Sequence, residues 1–142
     1  MTLRERALNL LARREHSRAE LARKLAPHAE PDEVEAMLDT LEQENLLSNA
    51  RFAEMLVHAR SGRHGSLRLK ADLREKGVPA SVVDATVSEA QESDLENARS
   101  VWLKKFGIPP TNAAERGRQM RFLSGRGFPG EIVRKVIGGE VD

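Results

Sequence analysis

One phrase occurs twice in this chain, and the repetition limits the possible fold more than any other feature of the sequence. Residues 73–87 read LREKGVPASVVDATV, and residues 123–137 read LSGRGFPGEIVRKVI, with a constant offset of 50 positions. Each copy contains a leucine, a base, a glycine, an apolar residue and a proline in that order. This order predicts the end of one helix and the start of the next, because glycine closes helices and proline fits a first turn. We therefore predict an internal repeat of helical units.

Apolar residues recur at helical spacing along the chain and predict nine helices. No stretch alternates polar and apolar residues with period two, and we therefore predict no strand. Capping boxes, in which serine or threonine precedes glutamate by three positions, mark three of the predicted helix starts. These are Thr2 with Glu5, Ser17 with Glu20, and Ser93 with Glu96.

The nine predicted helices form three groups of three. We place the repeat boundaries so that the repeats comprise residues 1–47, 48–92 and 93–142. None of these units is long enough to bury a sufficient core alone, but stacked neighbours supply the missing contacts, as in helical solenoids. The predicted fold is all-α, with three tandem three-helix repeats stacked into an elongated, curved array.

Several classes of function lack the residues that they require. The chain contains no cysteine, which excludes disulfides, zinc–thiolate sites and thiol nucleophiles. His16, His28, His58 and His64 form no metal-binding pair, so surface or capping roles are the better interpretation. The sequence also lacks the glycine-rich motifs that bind nucleotides. We predict a protein that is not an enzyme and needs no cofactor or metal.

The apolar segments are too short for membrane insertion. No apolar run approaches the roughly 20 residues of a membrane span, and the first ten residues lack the apolar core of a signal peptide. We therefore expect a cytoplasmic monomer that does not associate with membranes.

Charge is segregated along the chain although the formal net charge is only +1. Residues 60–77 and 99–126 are rich in lysine and arginine, whereas residues 79–96 contain acids and no base. A solvated helix face is the simplest interpretation of any single base, but the length of each biased region favours a polyanion-binding strip. The candidate contacts to a filament or nucleic acid are Arg60, Arg63, Arg68, Lys70, Arg74, Lys76, Lys104, Lys105, Arg118, Arg121 and Arg126.

Helical spacing places some of these bases together. Lys70 and Arg74 are four positions apart and share a face that points away from Leu69 and Leu73, so we expect both to face solvent. The aromatic residues all fall on or near apolar stripes. We expect them in the core, which weakens any mode of binding that stacks bases on aromatic rings.

Four phrases together resemble the bacterial RecX family, whose members regulate the RecA recombinase. They are ALNLLARREHSRAELARKL, RFAEMLVHAR, the pattern G-x-x-x-L-x-x-x-L-x-x-KG at residues 65–77, and FLSGRGF at residues 122–128. The resemblance covers nearly the whole chain. Asn49 departs from it, because the family usually carries aspartate there, but asparagine also caps helices.

The resemblance implies the three-repeat, three-helix architecture and a non-enzymatic protein that binds the RecA–DNA filament along its groove or at its end. Such a protein suppresses ATP hydrolysis, strand exchange and the promotion of repressor self-cleavage, and so modulates DNA repair and the SOS response. DNA is then bound weakly or only within the filament.

Two other functions stay open at this point. A stand-alone DNA-binding protein is one, since SRAELARKL resembles the first helix of a helix-turn-helix, although the following segment is acidic. A helical-repeat scaffold for another protein partner is the other.

Overall fold

The computed structural model describes residues 1–138, and this part of the chain is helical throughout, with no strand. The prediction of an all-α fold is confirmed. Besides a short 3-10 helix at Ala26–His28, the described residues form nine α-helices. These are α1 (Leu3–Arg13), α2 (Arg18–Leu25), α3 (Pro31–Gln43), α4 (Asn49–Arg60), α5 (Ser66–Glu75), α6 (Ala80–Gln91), α7 (Asp94–Lys105), α8 (Ala113–Gly125) and α9 (Gly130–Ile137).

Packing divides the described chain into two compact units. The first comprises Met1–Leu56 and Leu73–Val83, and the second comprises Val57–Asp72 and residues 84–138. The repeat boundaries at residues 47 and 92 stay a prediction.

Each unit has a core of aliphatic side chains from three successive helices. In the first unit the core joins α1, α2 and α3 through residues that include Ala7, Leu21 and Leu38. In the second unit the core joins α7, α8 and α9 through residues that include Ala98, Leu123 and Val133. Leu123 is fully buried, as the repeated phrase predicted for its position.

Two of the three predicted capping boxes are confirmed. The Thr2 hydroxyl accepts a hydrogen bond from the Glu5 amide at 3.0 Å, and the Thr2 amide donates to the Glu5 carboxylate at 2.8 Å. Ser17 and Glu20 make the same reciprocal pair at the start of α2, with distances of 3.0 and 3.3 Å. Both boxes satisfy amides that have no partner inside their helices.

The third predicted capping box is wrong, because the backbone of Ser93 is in the helical region (φ −103°, ψ 0°) and not in the extended conformation of a capping residue. Ser93 makes no side-chain hydrogen bond at the start of α7. Asp94 is buried and accepts hydrogen bonds from the amide and the hydroxyl of Ser66, at the start of α5. The first residue of α7 therefore caps α5, which lies 28 residues earlier in the chain.

The same arrangement occurs in the first unit and corrects the role expected for Asn49. Its carboxamide oxygen accepts from the Arg18 amide at 2.9 Å, so Asn49 caps α2. Its own helix, α4, is capped by the Ser48 hydroxyl, which accepts from the Arg51 amide at 3.1 Å. In each unit, the first residue of the first helix of a repeat (α4 or α7) caps the middle helix of the preceding repeat (α2 or α5).

The two copies of the repeated phrase dock on those same helix starts. In the first unit, the Ser17 hydroxyl donates to the Lys76 carbonyl at 2.7 Å. In the second unit, the Gly65 amide donates to the Arg126 carbonyl at 2.8 Å, and the Leu67 amide donates to the Gly127 carbonyl at 3.0 Å. The turn after α5 thus contacts the N-terminus of α2, and the turn after α8 contacts the N-terminus of α5.

Glycine is required in both turns for conformation and for space. Gly77 has a φ of +74° and Gly127 a φ of +91°, a region that other L-residues adopt at a cost. A Cβ atom at Gly77 would overlap the Ala19 side chain, and one at Gly127 would overlap the backbone of Arg68. The glycines therefore let the turn approach the preceding helix at backbone distance.

Comparing Gly127→Ala with Gly62→Ala separates docking from conformational strain. Gly62 has a φ of +79°, but open space surrounds the position of its Cβ. We expect Gly62→Ala to lower the free energy of unfolding by about 1–2 kcal/mol. Gly127→Ala should cost about 3 kcal/mol or more, because it also disrupts the docked amides. Urea denaturation monitored by circular dichroism measures both, and equal losses would contradict the docking role of Gly127.

Candidate nucleic-acid interface

The second unit brings four of the predicted basic residues to the loop between α4 and α5 and the turn after α8. Arg60 at the end of α4 pairs with Asp72 at 3.2 Å, and Arg68 on α5 approaches the same carboxylate at 3.6 Å. One carboxylate is thus shared by two guanidinium groups. Part of their positive charge stays available to an external anion.

The turn after α8 carries Arg126, which fixes the loop between α4 and α5. Its guanidinium donates to the Arg63 carbonyl at 3.1 Å, while the Arg63 guanidinium donates to the carbonyl of Ala59. Neither arginine is neutralised by these bonds, because a carbonyl carries no net charge. The loop therefore presents two further cations whose positions are set by backbone contacts.

A pair of phenylalanines holds three cations in the same unit. Phe106 and Phe122 meet edge to face, with their ring centroids 5.4 Å apart. Arg118 lies 5.2 Å from the centroid of Phe106, whereas Lys105 and Arg126 lie 5.4 and 4.9 Å from that of Phe122. Cations over ring faces are stabilised by about 0.5–1 kcal/mol each when they are exposed.

This cation–aromatic group was missed by the sequence analysis. Phe52 and Phe128 are buried, as expected of all the aromatics, but Phe106 and Phe122 are only half-buried. A signal was present for one contact, since Phe122 precedes Arg126 by four positions on one helix face. Nothing in the local pattern indicated that Phe106 would meet Phe122 from another helix.

Four predicted contact residues have no hydrogen bond or ion pair within residues 1–138. Lys104, Arg121 and Arg74 are exposed, whereas Lys70 is half-buried, so its expected solvent-facing position is only partly realised. The Arg121 guanidinium folds back over Gly117, where an added Cβ would lie 3.0 Å from its nitrogen. Cations without internal partners keep their full charge for external contacts.

Two predicted contact residues are engaged internally. Lys76 belongs to the first unit, where its ammonium lies 3.9 Å from the Glu20 carboxylate. Arg118 pairs with Glu115 on its own helix at 2.7 Å. Its charge is partly compensated there, although the side chain is exposed.

Glu20 is the centre of the ion-pair network of the first unit. Arg14 donates two hydrogen bonds to its carboxylate, at 3.0 and 2.7 Å. Burial raises the pKa of Glu20, but the hydrogen bonds and charge of Arg14 and the Ser17 amide outweigh burial and lower the pKa to about 2. Glu20 is therefore ionised at neutral pH and serves the structure of α2.

A metal site and a membrane-spanning helix both lack support within the described residues. No group of three or more histidine, aspartate or glutamate side chains within residues 1–138 is arranged to hold a metal ion. In the same range, no helix combines the length and the apolar character that a membrane crossing requires.

Comparison with known proteins identifies the family. Residues 4–41, 48–87 and 92–137 match the family profiles described as the first, second and third three-helix domains of RecX. This chain belongs to the RecX family. The three matches also confirm the prediction of three three-helix domains.

Relatives and solved structures agree with this assignment. "Regulatory protein RecX" of Ralstonia nicotianae is 49% identical over 140 residues, covering 98% of this chain and 88% of the relative. The protein of that name from Leptothrix cholodnii is 48% identical, covering 96% and 88%. The crystal structure of RecX from Lactobacillus salivarius has a TM-score of 0.80 at 18% identity, covering 95% of this chain and 92% of that one, which supports the fold.

The low pKa of Glu20 predicts a specific acid sensitivity in this RecX-family chain. Its carboxylate contributes stability above the ordinary pKa of 4.5, and this contribution is lost as the pH falls towards the folded-state pKa of about 2. Glu20→Gln should therefore lower the free energy of unfolding by about 3 kcal/mol at pH 7 and by about 1 kcal/mol at pH 3.

Urea titrations at the two pH values measure the difference. Glu44→Gln is the control, because Glu44 forms an exposed ion pair with Arg4 at 2.8 Å, whose loss should cost less than about 1 kcal/mol. An effect of Glu20→Gln that is the same at both pH values would contradict the assigned role.

Proposed function

We propose that this chain is a non-enzymatic regulator of the RecA recombinase that binds the RecA–DNA filament in its groove or at its end. It acts in the cytoplasm as a monomer and lowers ATP hydrolysis, strand exchange and co-protease activity of the filament. The family assignment supports the regulatory part of the proposal, since the similar curated proteins are named "Regulatory protein RecX".

The observation that carries the proposal is the group of cations on the second unit. Arg126, Lys105 and Arg118 are held against phenylalanine rings, and Arg126 is also bonded to a backbone carbonyl. Side chains that are ordered before binding lose less conformational entropy when they contact a partner. Such cations favour contacts with the phosphate backbone of a nucleoprotein filament. Phosphate contacts position a protein on the nucleic acid but do not read its base sequence.

Base stacking is disfavoured as the mode of contact. Phe106 and Phe122 are half-buried, they pack against each other, and each ring already has a cation over one face. A nucleobase would have to displace those cations before it could stack. We therefore expect binding that depends strongly on salt and weakly on base sequence.

Sequence-specific binding to free DNA is disfavoured by the first unit. The helix after SRAELARKL would be the recognition helix of a helix-turn-helix, and this helix is α3. Its exposed carboxylates Glu35, Asp39 and Glu42 all bind the Arg18 guanidinium, at 2.6, 2.8 and 2.5 Å. Facing DNA would place these carboxylates beside phosphates.

A matched pair of charge reversals tests the proposal. The double variant Lys104→Glu/Arg121→Glu changes two exposed bases that belong to the predicted contact residues. The double variant Arg134→Glu/Lys135→Glu changes two exposed bases of α9 that do not belong to them. Both variants alter net charge equally, and none of these side chains has an internal hydrogen bond or ion pair in the described residues. We expect the wild-type protein to lower the rate of ATP hydrolysis by RecA on single-stranded DNA.

The first variant should need about tenfold more protein for half-maximal inhibition, and the α9 variant less than about threefold more. Thermal unfolding of both variants checks that the fold is retained. No inhibition by saturating wild-type protein would refute the proposal. Equal loss in the two folded variants would show that total charge, and not this surface, determines binding.

A further inference from the structure

His64 lies in the short loop between α4 and α5, among the arginines of the second unit. It is half-buried, and its Nδ1 atom is buried without a hydrogen-bond partner among the described residues. Buried polar atoms without partners are uncommon in native proteins and call for an explanation.

The charges that act on His64 come from all the elements packed around it. Arg60 belongs to α4, Arg68 and Asp72 belong to α5, and Arg126 follows α8. Asp72 is already shared between Arg60 and Arg68. The three guanidinium groups that act on His64 are therefore balanced by one carboxylate. This surplus of positive charge is concentrated around a single ionisable ring.

The free amides that a helix N-terminus can offer to an anion are not available at the start of α5. The amides of Gly65, Ser66 and Leu67 already donate to the Arg126 carbonyl, the Asp94 carboxylate and the Gly127 carbonyl. An anion beside His64 would therefore contact side chains and not free helix amides.

The surroundings disfavour the protonated form of His64 in the free protein. Burial lowers its pKa, the charges of Arg68 and Arg60 lower it further, Asp72 raises it and Arg126 lowers it again. Protonation would add a positive charge to this surplus and place a proton on the buried Nδ1, which has no acceptor. A nearby anion would offset this penalty and favour the protonated imidazole.

We propose that the His64 cluster, defined as Arg60, His64, Arg68 and Arg126, binds a phosphate group and that His64 takes up a proton when the phosphate binds. The inference rests on the proposed function, in which the DNA of the filament supplies the phosphate. Arginine forks match the several acceptor oxygens of phosphate, and the anion offsets the charge that had opposed protonation.

Proton uptake on binding fixes the sign of the pH dependence. The bound state has the higher pKa for His64, so affinity rises as the pH falls through the interval between the bound and the free pKa. Each unit by which binding raises the pKa corresponds to a tenfold gain in affinity across that interval. We expect a gain of several-fold, but below tenfold, between pH 8 and pH 6, because a free pKa below 6.5 extends the interval towards or below pH 6.

Nuclear magnetic resonance of the full chain with labelled histidine measures the pKa of His64 directly. The titration is run with no ligand, with inorganic phosphate, with the oligonucleotide (dT)15 and with polyglutamate. A rise of about one unit in the pKa of His64 with (dT)15 is the expected result. A rise with inorganic phosphate as well assigns recognition to the phosphate group alone, whereas a rise only with (dT)15 assigns it to the polymer backbone.

Fluorescence anisotropy of labelled (dT)15 gives the second measurement. His64→Gln should remove this pH dependence, whereas the control His58→Gln, at an exposed position on α4, should keep it.

An unchanged pKa of His64 at saturating (dT)15 would overturn the inference, as would a rise with polyglutamate but not with (dT)15. The same holds if His64→Gln and wild type share one pH dependence. The RecA assay is independent of these results. If RecA is inhibited but the pKa of His64 does not change, only the phosphate site is refuted. If the pKa of His64 rises but RecA is not inhibited, only the proposed function is refuted.

Discussion

The structure depends on completing the N-terminus of one helix with groups from the next repeat. The first amides of a helix have no partners inside it and must be satisfied by other groups. At α5, the carbonyls of Arg126 and Gly127 and the carboxylate of Asp94 supply them. At α2, Asn49 supplies the corresponding side chain. A repeat that lost its successor would leave a helix end uncapped, which explains physically why such small modules occur in series.

The same contact positions the candidate interface. Arg126 uses its carbonyl to cap α5 and its guanidinium to hold the Arg63 carbonyl, so a single residue links the docked turn to the basic loop. The equivalent base in the first copy of the phrase, Lys76, instead approaches the buried Glu20. Equivalent positions in the repeat thus have different roles, because the acid that pairs with one of them is not repeated: Arg68 occupies the place of Glu20 on α5.

Sequence patterns within a few residues predicted the features that depend on neighbouring residues. The nine helices, the two glycine turns and two capping boxes follow from spacing within a few residues. The cap predicted at Ser93 is absent because the backbone there is already helical. The role of its neighbour Asp94 could not be predicted either, because helical spacing does not indicate a partner 28 positions away. The contact between Phe106 and Phe122 was missed for the same reason: spacing shows which residues share a face of one helix, but not which faces of two helices meet. The bases of the interface were therefore predicted individually, whereas their grouping was not.

The distribution of charge explains how a chain with a net charge of +1 is suited to a polyanion. Electrostatic interactions between exposed groups are screened over about 8 Å at physiological salt, a distance comparable to the diameter of one helix. A phosphate beside the loop between α4 and α5 would therefore respond chiefly to charges within that distance, which include the local arginines and Asp72. The acids of α3 likewise act locally, where Glu35, Asp39 and Glu42 bind Arg18. Net charge consequently indicates neither the presence nor the position of the proposed binding surface, which we infer instead from the arrangement of guanidinium groups around single carboxylates.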